Sequence, residues 1–378
     1  MTKSRYGKDL EANLERLQDQ LHKGSYHPLP ARQVFIPKAD GKMRPLAISS
    51  LEDKMVQKSV ADILMVLYEP LFVEDSLGFR PKKGCHTALQ RLYHWLKDGT
   101  RPYVVEVDIE KFFDSVDHER MIQILQKRIS DPRFLRLIRK LMKAGVMKDG
   151  EAVPNTVGTP QGSVVSPILA NIYLHETLDL WFKENYENGF QRMARYADDV
   201  VFCFKREDDA RSFYQALGKR LGEYGLKLNE EKSRVVAFQQ KDHNVFHFLG
   251  MTFYWGRDRK KRNFLKLKTQ AEKFRRSIQA FTGWIKENRN RYKLKVLWED
   301  ARAKILGHYA YYGVTLNRQL GSYYFLCQKA LFKWLNRRSQ KSSMTWQDFQ
   351  KRLRRFPLPK PWGHEQIDIT QGVLGYAI

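Results

Sequence analysis

Two neighbouring carboxylates, Asp198 and Asp199, stand between Tyr196-Ala197 and the run Val200-Val201-Phe202-Cys203-Phe204. That run alternates at strand period, and the shorter run before it predicts a tight turn at Ala197-Asp198-Asp199 between two strands. Like charges this close repel unless a cation lies between them. The pair is therefore either an ordinary hairpin turn or part of a metal site. A third acid bears on the choice. Tyr103 to Val107 reads as a buried strand that ends at Asp108 and runs into a turn. An acid at the end of one strand and an acidic pair on a hairpin can meet at one edge of a sheet. Three such carboxylates offer the hard oxygen ligands of a two-magnesium phosphoryl-transfer site, with phosphates and water completing each octahedron.

The elements that must position these acids are legible as periodicities and stop signals. Residues 7–23 carry Leu10, Leu14, Leu17 and Leu21 on one helical face, and Gly24 ends the helix. A strand at residues 32–37 leads into a hairpin through Asp40-Gly41, flanked by Lys38 and Arg44. Those two cations could aim at one anion or simply stay solvated. Met55, Val56, Val60, Ile63, Leu64 and Leu67 mark the next helix, closed by Pro70. A basic loop over residues 76–86 turns helical from about Thr87. Beyond the Asp108 strand, Asp117-His118 starts a helix, and residues 120–145 read as helical and basic. Of Phe112 and Phe113, one must pack inward. A Gly/Pro-rich loop over residues 158–167 opens another helix, whose N-terminus could hold a phosphate. From Thr269 three apolar stripes predict three helices, beginning with Ala271, Phe274, Ile278, Phe281 and Ile285.

Composition narrows the partners. A hydrophobic content of 42% and an aromatic content of 13% argue for a folded chain over disorder. Cys85, Cys203 and Cys327 are far apart with no paired spacing, which argues against a disulfide framework or a zinc site and suits a reducing compartment. The charged N-terminus has no apolar signal core, and no stretch approaches the roughly 20 apolar residues that span a bilayer. The net charge is +25, and residues 256–360 hold 28 of the 67 Lys and Arg but 6 of the 42 Asp and Glu. Nearly all the excess thus lies in one segment, as expected for a grip on a polyanion.

Together these stretches resemble the reverse transcriptases, and in detail those encoded by group II introns. The resemblance is carried by Arg195-Tyr196-Ala197-Asp198-Asp199, by the Asp108 strand, and by Gly78-Phe79-Arg80-Pro81 followed by Gly84, His86 and a helix. Gly158-Thr159-Pro160-Gln161-Gly162-Ser163 through Leu174, Gly225 to Ser233, and Phe248-Leu249-Gly250 continue it, in the family's order. It implies Asp108 and Asp198 as catalytic, metal-holding residues, with Asp199 in support and Ile109 in the metal set. It implies Lys38 and Arg44 at the incoming triphosphate, with Asp114 and Gln161 at the nucleotide. Lys232 falls near the phosphates, a solvated lysine being the alternative. Phe113 takes the place of the steric gate that selects deoxynucleotides, with core packing as the alternative. Arg80 and Gly84 fall at the template, and Leu249 and Gly250 at the primer grip.

The implied fold is α+β: a right-hand polymerase fold with an antiparallel-sheet palm, mixed fingers and a three-helix thumb, also called domain X. The expected segments are 1–100 (N-terminal extension and fingers), 101–118 (palm), 119–157 (fingers helices), 158–262 (palm), 263–338 (thumb) and 339–378 (tail). The implied cofactor is Mg2+, two ions, with Mn2+ as a substitute. The implied partners are an RNA template, a DNA or RNA primer, dNTPs and a structured intron or other cognate RNA, with no membrane and a bacterial cytoplasmic setting. The 17 residues after Pro361 leave no room for a nuclease domain, so an endonuclease-free form is expected. That economy leaves open an intron maturase with little polymerase role, or a domesticated enzyme of antiphage defence or CRISPR adaptation.

Overall fold

Caps written into the sequence start the helices that carry the fold. A computed structural model describes residues 2–37, 41, 43–148, 151–160, 162–187, 189–258, 260–339, 343–363 and 367–370. Ser50 accepts a hydrogen bond from the Asp53 amide at 3.2 Å and opens the helix Leu51–Tyr68. Asp117 caps His118–Gln126, and Asp131 caps Pro132–Lys143, which begins with proline. The single basic helix expected over 120–145 is therefore two. Asp131-Pro132 is a second start signal, and proline cannot donate the hydrogen bond that would continue the first helix through it.

The described residues hold eleven strands: β1 (Ala31–Pro37), β2 (Met43–Ile48), β3 (Tyr103–Val107), β4 (Val146–Lys148), β5 (Glu151–Val153), β6 (Arg192–Tyr196), β7 (Asp199–Phe204), β8 (Arg234–Ala237), β9 (Val245–Phe248), β10 (Met251–Arg257) and β11 (Asn263–Thr269). They order into three sheets, β2-β1-β4-β5, β6-β7-β3-β8 and β11-β10-β9. Contacts divide the chain into two compact units, residues 1–88 with 105–235, and residues 89–104 with 236–378.

In the first unit β1 and β2 form an antiparallel hairpin with Ile36 opposite Arg44. β6 and β7 form a second one, with Tyr196 opposite Asp199, so its turn is only Ala197-Asp198. β3 and β8 enter the unit with residues 105–107 and 234–235. The helix Ser166–Leu174 is buried at Ser166 and at every residue from Ile168 to Leu174. It continues through one π-helical turn, His175–Asp179, into Leu180–Asn185. A helix apolar all round belongs inside a core.

In the second unit β9 and β10 are joined by Leu249 (φ 48) and Gly250 (φ 73), two left-handed residues as a tight hairpin turn requires. Three helices follow, Ala271–Asn288, Leu294–Tyr312 and Gln319–Leu335. Their stripes meet in one core that includes Phe281, Ile285, Leu297, Ile305, Tyr323 and Leu331. Leu294, expected in the second stripe, stays exposed. Further along the chain Thr345 and Asp348 form a capping box, and the helix Trp346–Arg355 adds Phe349 and Leu353 to the same core. No helix among the described residues is long and apolar enough to cross a membrane.

Candidate active site

Asp108 follows the last residue of β3 and is held by a turn 121 to 125 residues away in sequence. Its amide donates to Ser233 Oγ at 3.0 Å, and its carbonyl accepts from the Asn229 amide at 2.9 Å. Asn229 Nδ2 donates to Oδ2 at 2.8 Å, and Lys232 Nζ stands 3.5 Å from the same oxygen. These bonds fix the main chain and one carboxylate oxygen of Asp108, while the side chain keeps about a third of its surface open at 35%. The next residue, Ile109, buries its side chain to 3% exposure and bridges to Leu228. Only its main chain could therefore meet a cation.

Asp198 sits in the β6–β7 turn beside Ala197, whose φ of 58° is left-handed. Non-glycine residues hold that conformation only where their surroundings insist on it. Here they do. Gly78 packs so close that a Cβ on it would lie 2.3 Å from Ala197 N. From below, Arg195 Nη1 donates to the Ala197 carbonyl at 3.1 Å. Asp199 is the first residue of β7 and is exposed.

The two distant acids feel one another. Burial pushes the Asp198 carboxyl above its ordinary range and Asp108 adds to the rise, while Arg44 and Arg195 pull it back. A desolvated carboxylate beside a second one is a site short of positive charge. No group of three or more His, Cys, Asp or Glu side chains among the described residues is gathered tightly enough to hold a metal ion. Asp108 and Asp198 lie within electrostatic reach of one another. Asp199 follows directly as the first residue of β7. Reverse transcriptases generally use divalent metal ions, and the donors fit: hard carboxylate oxygens, too few to fill a shell without substrate phosphates and water.

The remaining expected site residues divide. Arg44 lies on β2 within electrostatic reach of Asp198. Lys38 and Gln161 lie outside the described residues. Phe112 is the inward ring at 2% exposure, leaving Phe113 half-buried and edge-on to it at 5.4 Å. The loop before Gln161 locks Phe113 in place, since Thr159 N donates to the Phe113 carbonyl at 2.7 Å and Gly158 N to that of Val116 at 2.8 Å. His118 Nε2 donates to the Gly158 carbonyl at 2.6 Å, which makes that histidine a clamp. Asp114 is exposed and lines a cavity of about 210 Å³ with Pro45, Ala47 and Gly158.

Arg80, expected at a template, turns inward. Its side chain is 5% exposed and ion-paired to Glu69, and Nη1 donates to the carbonyls of Val73 and Ser76 at 2.7 Å. A guanidinium engaged on all sides holds its own loop. Its exposed neighbours, Phe79 and Lys82, carry left-handed φ values of 58° and 56°. Gly84 accepts from the Ala88 amide at the start of the helix Cys85–Leu96, and a Cβ there would meet nothing within 4 Å. In the second unit, Tyr311 donates its hydroxyl to the Leu249 carbonyl at 3.0 Å, and the Gly250 carbonyl accepts from Gln270 N at 2.9 Å.

Sequence reasoning passed over Asn229, Ser233, Asn171, Asp179 and the role of Arg195. The first two had a signal: Asn and Ser four residues apart in a turn after Gly225 are residues that bond a passing main chain. The buried pair had none, because an acid on a helix and an arginine on a strand show no mutual spacing.

The family description "Reverse transcriptase (RNA-dependent DNA polymerase)" matches residues 36–253. Among curated proteins, the chain is 40% identical over 190 residues to "Protein YkfC" of Escherichia coli, covering 50% of each. It is 41% identical over 167 residues to "Group II intron-encoded protein LtrA" of Lactococcus lactis subsp. cremoris, covering 44% of this chain and 28% of that one. It is 38% identical over 229 residues to "Uncharacterized 91 kDa protein in cob intron" of Schizosaccharomyces pombe, covering 61% and 27%. The chain thus spans half or less of these relatives' lengths. Among solved structures, apo telomerase from Candida tropicalis aligns at a TM-score of 0.52 and 13% identity, over 87% of this chain and 62% of that one. At that identity the likeness is one of fold alone. The chain belongs to the reverse transcriptase family and is similar to its group II intron-encoded members.

Proposed function

We propose that this protein is an RNA-directed DNA polymerase that extends a primer 3′-hydroxyl with dNTPs on an RNA template. The observation that carries the reading is that Asp108 and Asp198, 90 residues apart, lie within electrostatic reach of one another inside the segment that matches the family. When bound, two Mg2+ ions would lower the pKa of the primer hydroxyl and neutralise the leaving pyrophosphate, and Mn2+ would substitute. Asp108 and Asp198 would hold them, with Asp199 and the Ile109 main chain beside them. Arg44 and Lys38 add positive charge at the triphosphate, and Lys232, released from Asp108, can turn to the same phosphates. Phe113 would supply the ring that clashes with a 2′-hydroxyl, and Asp114 and Gln161 would contact the nucleotide.

The basic segment 256–360 favours a second, compatible role as an RNA grip. A-form RNA and RNA–DNA duplexes are recognised through backbone and 2′-hydroxyls, so binding should weaken steeply with salt. The relatives named for group II introns make a structured intron RNA the proposed partner. The test is primer extension on an RNA template by the wild type and by Asp198→Ala, with RNA affinity measured alongside. Loss of extension in the variant with unchanged RNA affinity supports the reading; retained extension overturns it.

A further inference from the structure

We propose that Arg195 is a positioning residue for Asp198, its buried guanidinium fixing the Ala197-Asp198 turn against residues 76–78 and the helix that begins at Ser166. This rests on the polymerase reading above. Every guanidinium hydrogen is used. Nε and Nη2 clasp Asp179 at 2.7 and 2.5 Å, and Nη2 also donates to Ser76 Oγ at 2.6 Å. Nη1 donates to Asn171 Oδ1 at 3.0 Å and to the Ala197 carbonyl at 3.1 Å. Arg195 and Asp179 are both fully excluded from solvent.

The partners form a closed circuit. Asn171 turns its Nδ2 to the Gly78 carbonyl at 2.7 Å, and Gly78 is the residue in backbone contact with Ala197. The main chain of Arg195 joins in, donating to the Asp75 carbonyl at 3.0 Å and accepting from Leu77 N at 2.8 Å. One side chain therefore ties two separate segments, the loop at Ser76 and the helix that carries Asn171 and Asp179, to the turn that presents Asp198. A well-packed apolar cluster would stabilise a core as well as a buried ion pair does. What it would lack is a directional donor to the Ala197 carbonyl, which the left-handed turn needs in order to stay in place. Only arginine has five donors in a rigid fork; lysine could keep the charge but not the geometry.

The experiment uses the full chain with Arg195→Lys, which retains the ion pair with Asp179 while losing the fork. Single-nucleotide extension gives kcat and the dNTP KM, Mn2+ binding without nucleotide is followed by electron paramagnetic resonance, and circular dichroism checks the fold. The expected result is a folded protein with kcat down about 100-fold, KM within threefold, and Mn2+ affinity down about tenfold. A folded Arg195→Lys protein with kcat and Mn2+ affinity within threefold of wild type would overturn the proposal. Should that variant not fold, Ser76→Ala removes one acceptor and leaves the ion pair; it is expected to lower kcat about fivefold at unchanged KM, and an unchanged kcat would equally overturn it. An inactive wild type would instead defeat the polymerase reading, so the two failures are distinct.

Discussion

Gly78 and Ala197 touch backbone to backbone, so closely that a Cβ at residue 78 would stand 2.3 Å from Ala197 N and 2.9 Å from Tyr196 C. The glycine is required by the hairpin it supports. Gly78→Ala must push the Ala197-Asp198 turn outward, at a cost of about 1–3 kcal/mol for forced repacking. Primer extension is expected to fall at least tenfold while melting drops by only a few degrees. Activity within twofold of wild type would show that the turn tolerates the shift.

Arg80 gives a prediction of the opposite kind. Its guanidinium is committed to Glu69 and to main-chain carbonyls inside its own loop. Arg80→Gln leaves the half-buried Glu69 carboxylate and the Val73 and Ser76 carbonyls without their donor and should cost about 1–3 kcal/mol, the scale for polar groups left unsatisfied. Urea unfolding would read that loss, while RNA affinity per folded molecule should stay within twofold. A selective loss of template affinity in a fully stable variant would return Arg80 to the template.

Phe113 is the half-buried partner of a two-ring pair whose other member, Phe112, is core. Removing the ring should open space where a 2′-hydroxyl would clash and leave Phe112 in place. Phe113→Val is expected to cut the preference for dNTPs over rNTPs at least tenfold in single-nucleotide extension. Unchanged discrimination would make the ring a packing residue.

His308 supplies a pH dependence. Burial pulls its imidazole down to about 4, it stacks on Tyr323 at 3.6 Å, and its Nε2 has no partner among the described residues. The unfolded chain takes up this proton near pH 6.5 and the folded chain does not. Stability therefore falls as pH drops from 6.5 towards 4, by roughly 1 kcal/mol at pH 5.5 and on the order of 3 kcal/mol in full. Thermal unfolding at pH 7.5 and 5.5 would measure it. The drop should shrink in His308→Phe; an equal drop in both proteins would place its origin elsewhere.

Much of this was local and therefore legible. Strand alternation around Asp108 and Asp198, the Asp117 and Asp131 caps, and the stripes of the three helices are set by side chains a few residues apart. Phe112 and Phe113 posed a choice in the sequence, and burial resolved it in favour of Phe112 as the inward ring. The inward turn of Arg80 was not legible because a charged residue in a basic loop looks alike whether it faces a phosphate or turns to an acid 11 residues earlier.

The sequence by itself determined the element order, the pair of acids worth watching and the segment where positive charge collects. Periodicity, caps and composition are properties of neighbours along the chain. Only the tertiary structure decided that Asn229 and Ser233 hold Asp108, that Arg195 and Asp179 bury their charges beneath Asp198, and that Asp199 starts the strand beyond the pair. Those relations join residues 16 to 125 positions apart. Such partners are chosen by desolvation and hydrogen-bond satisfaction in the folded interior, where an unpaired buried charge is too costly to persist.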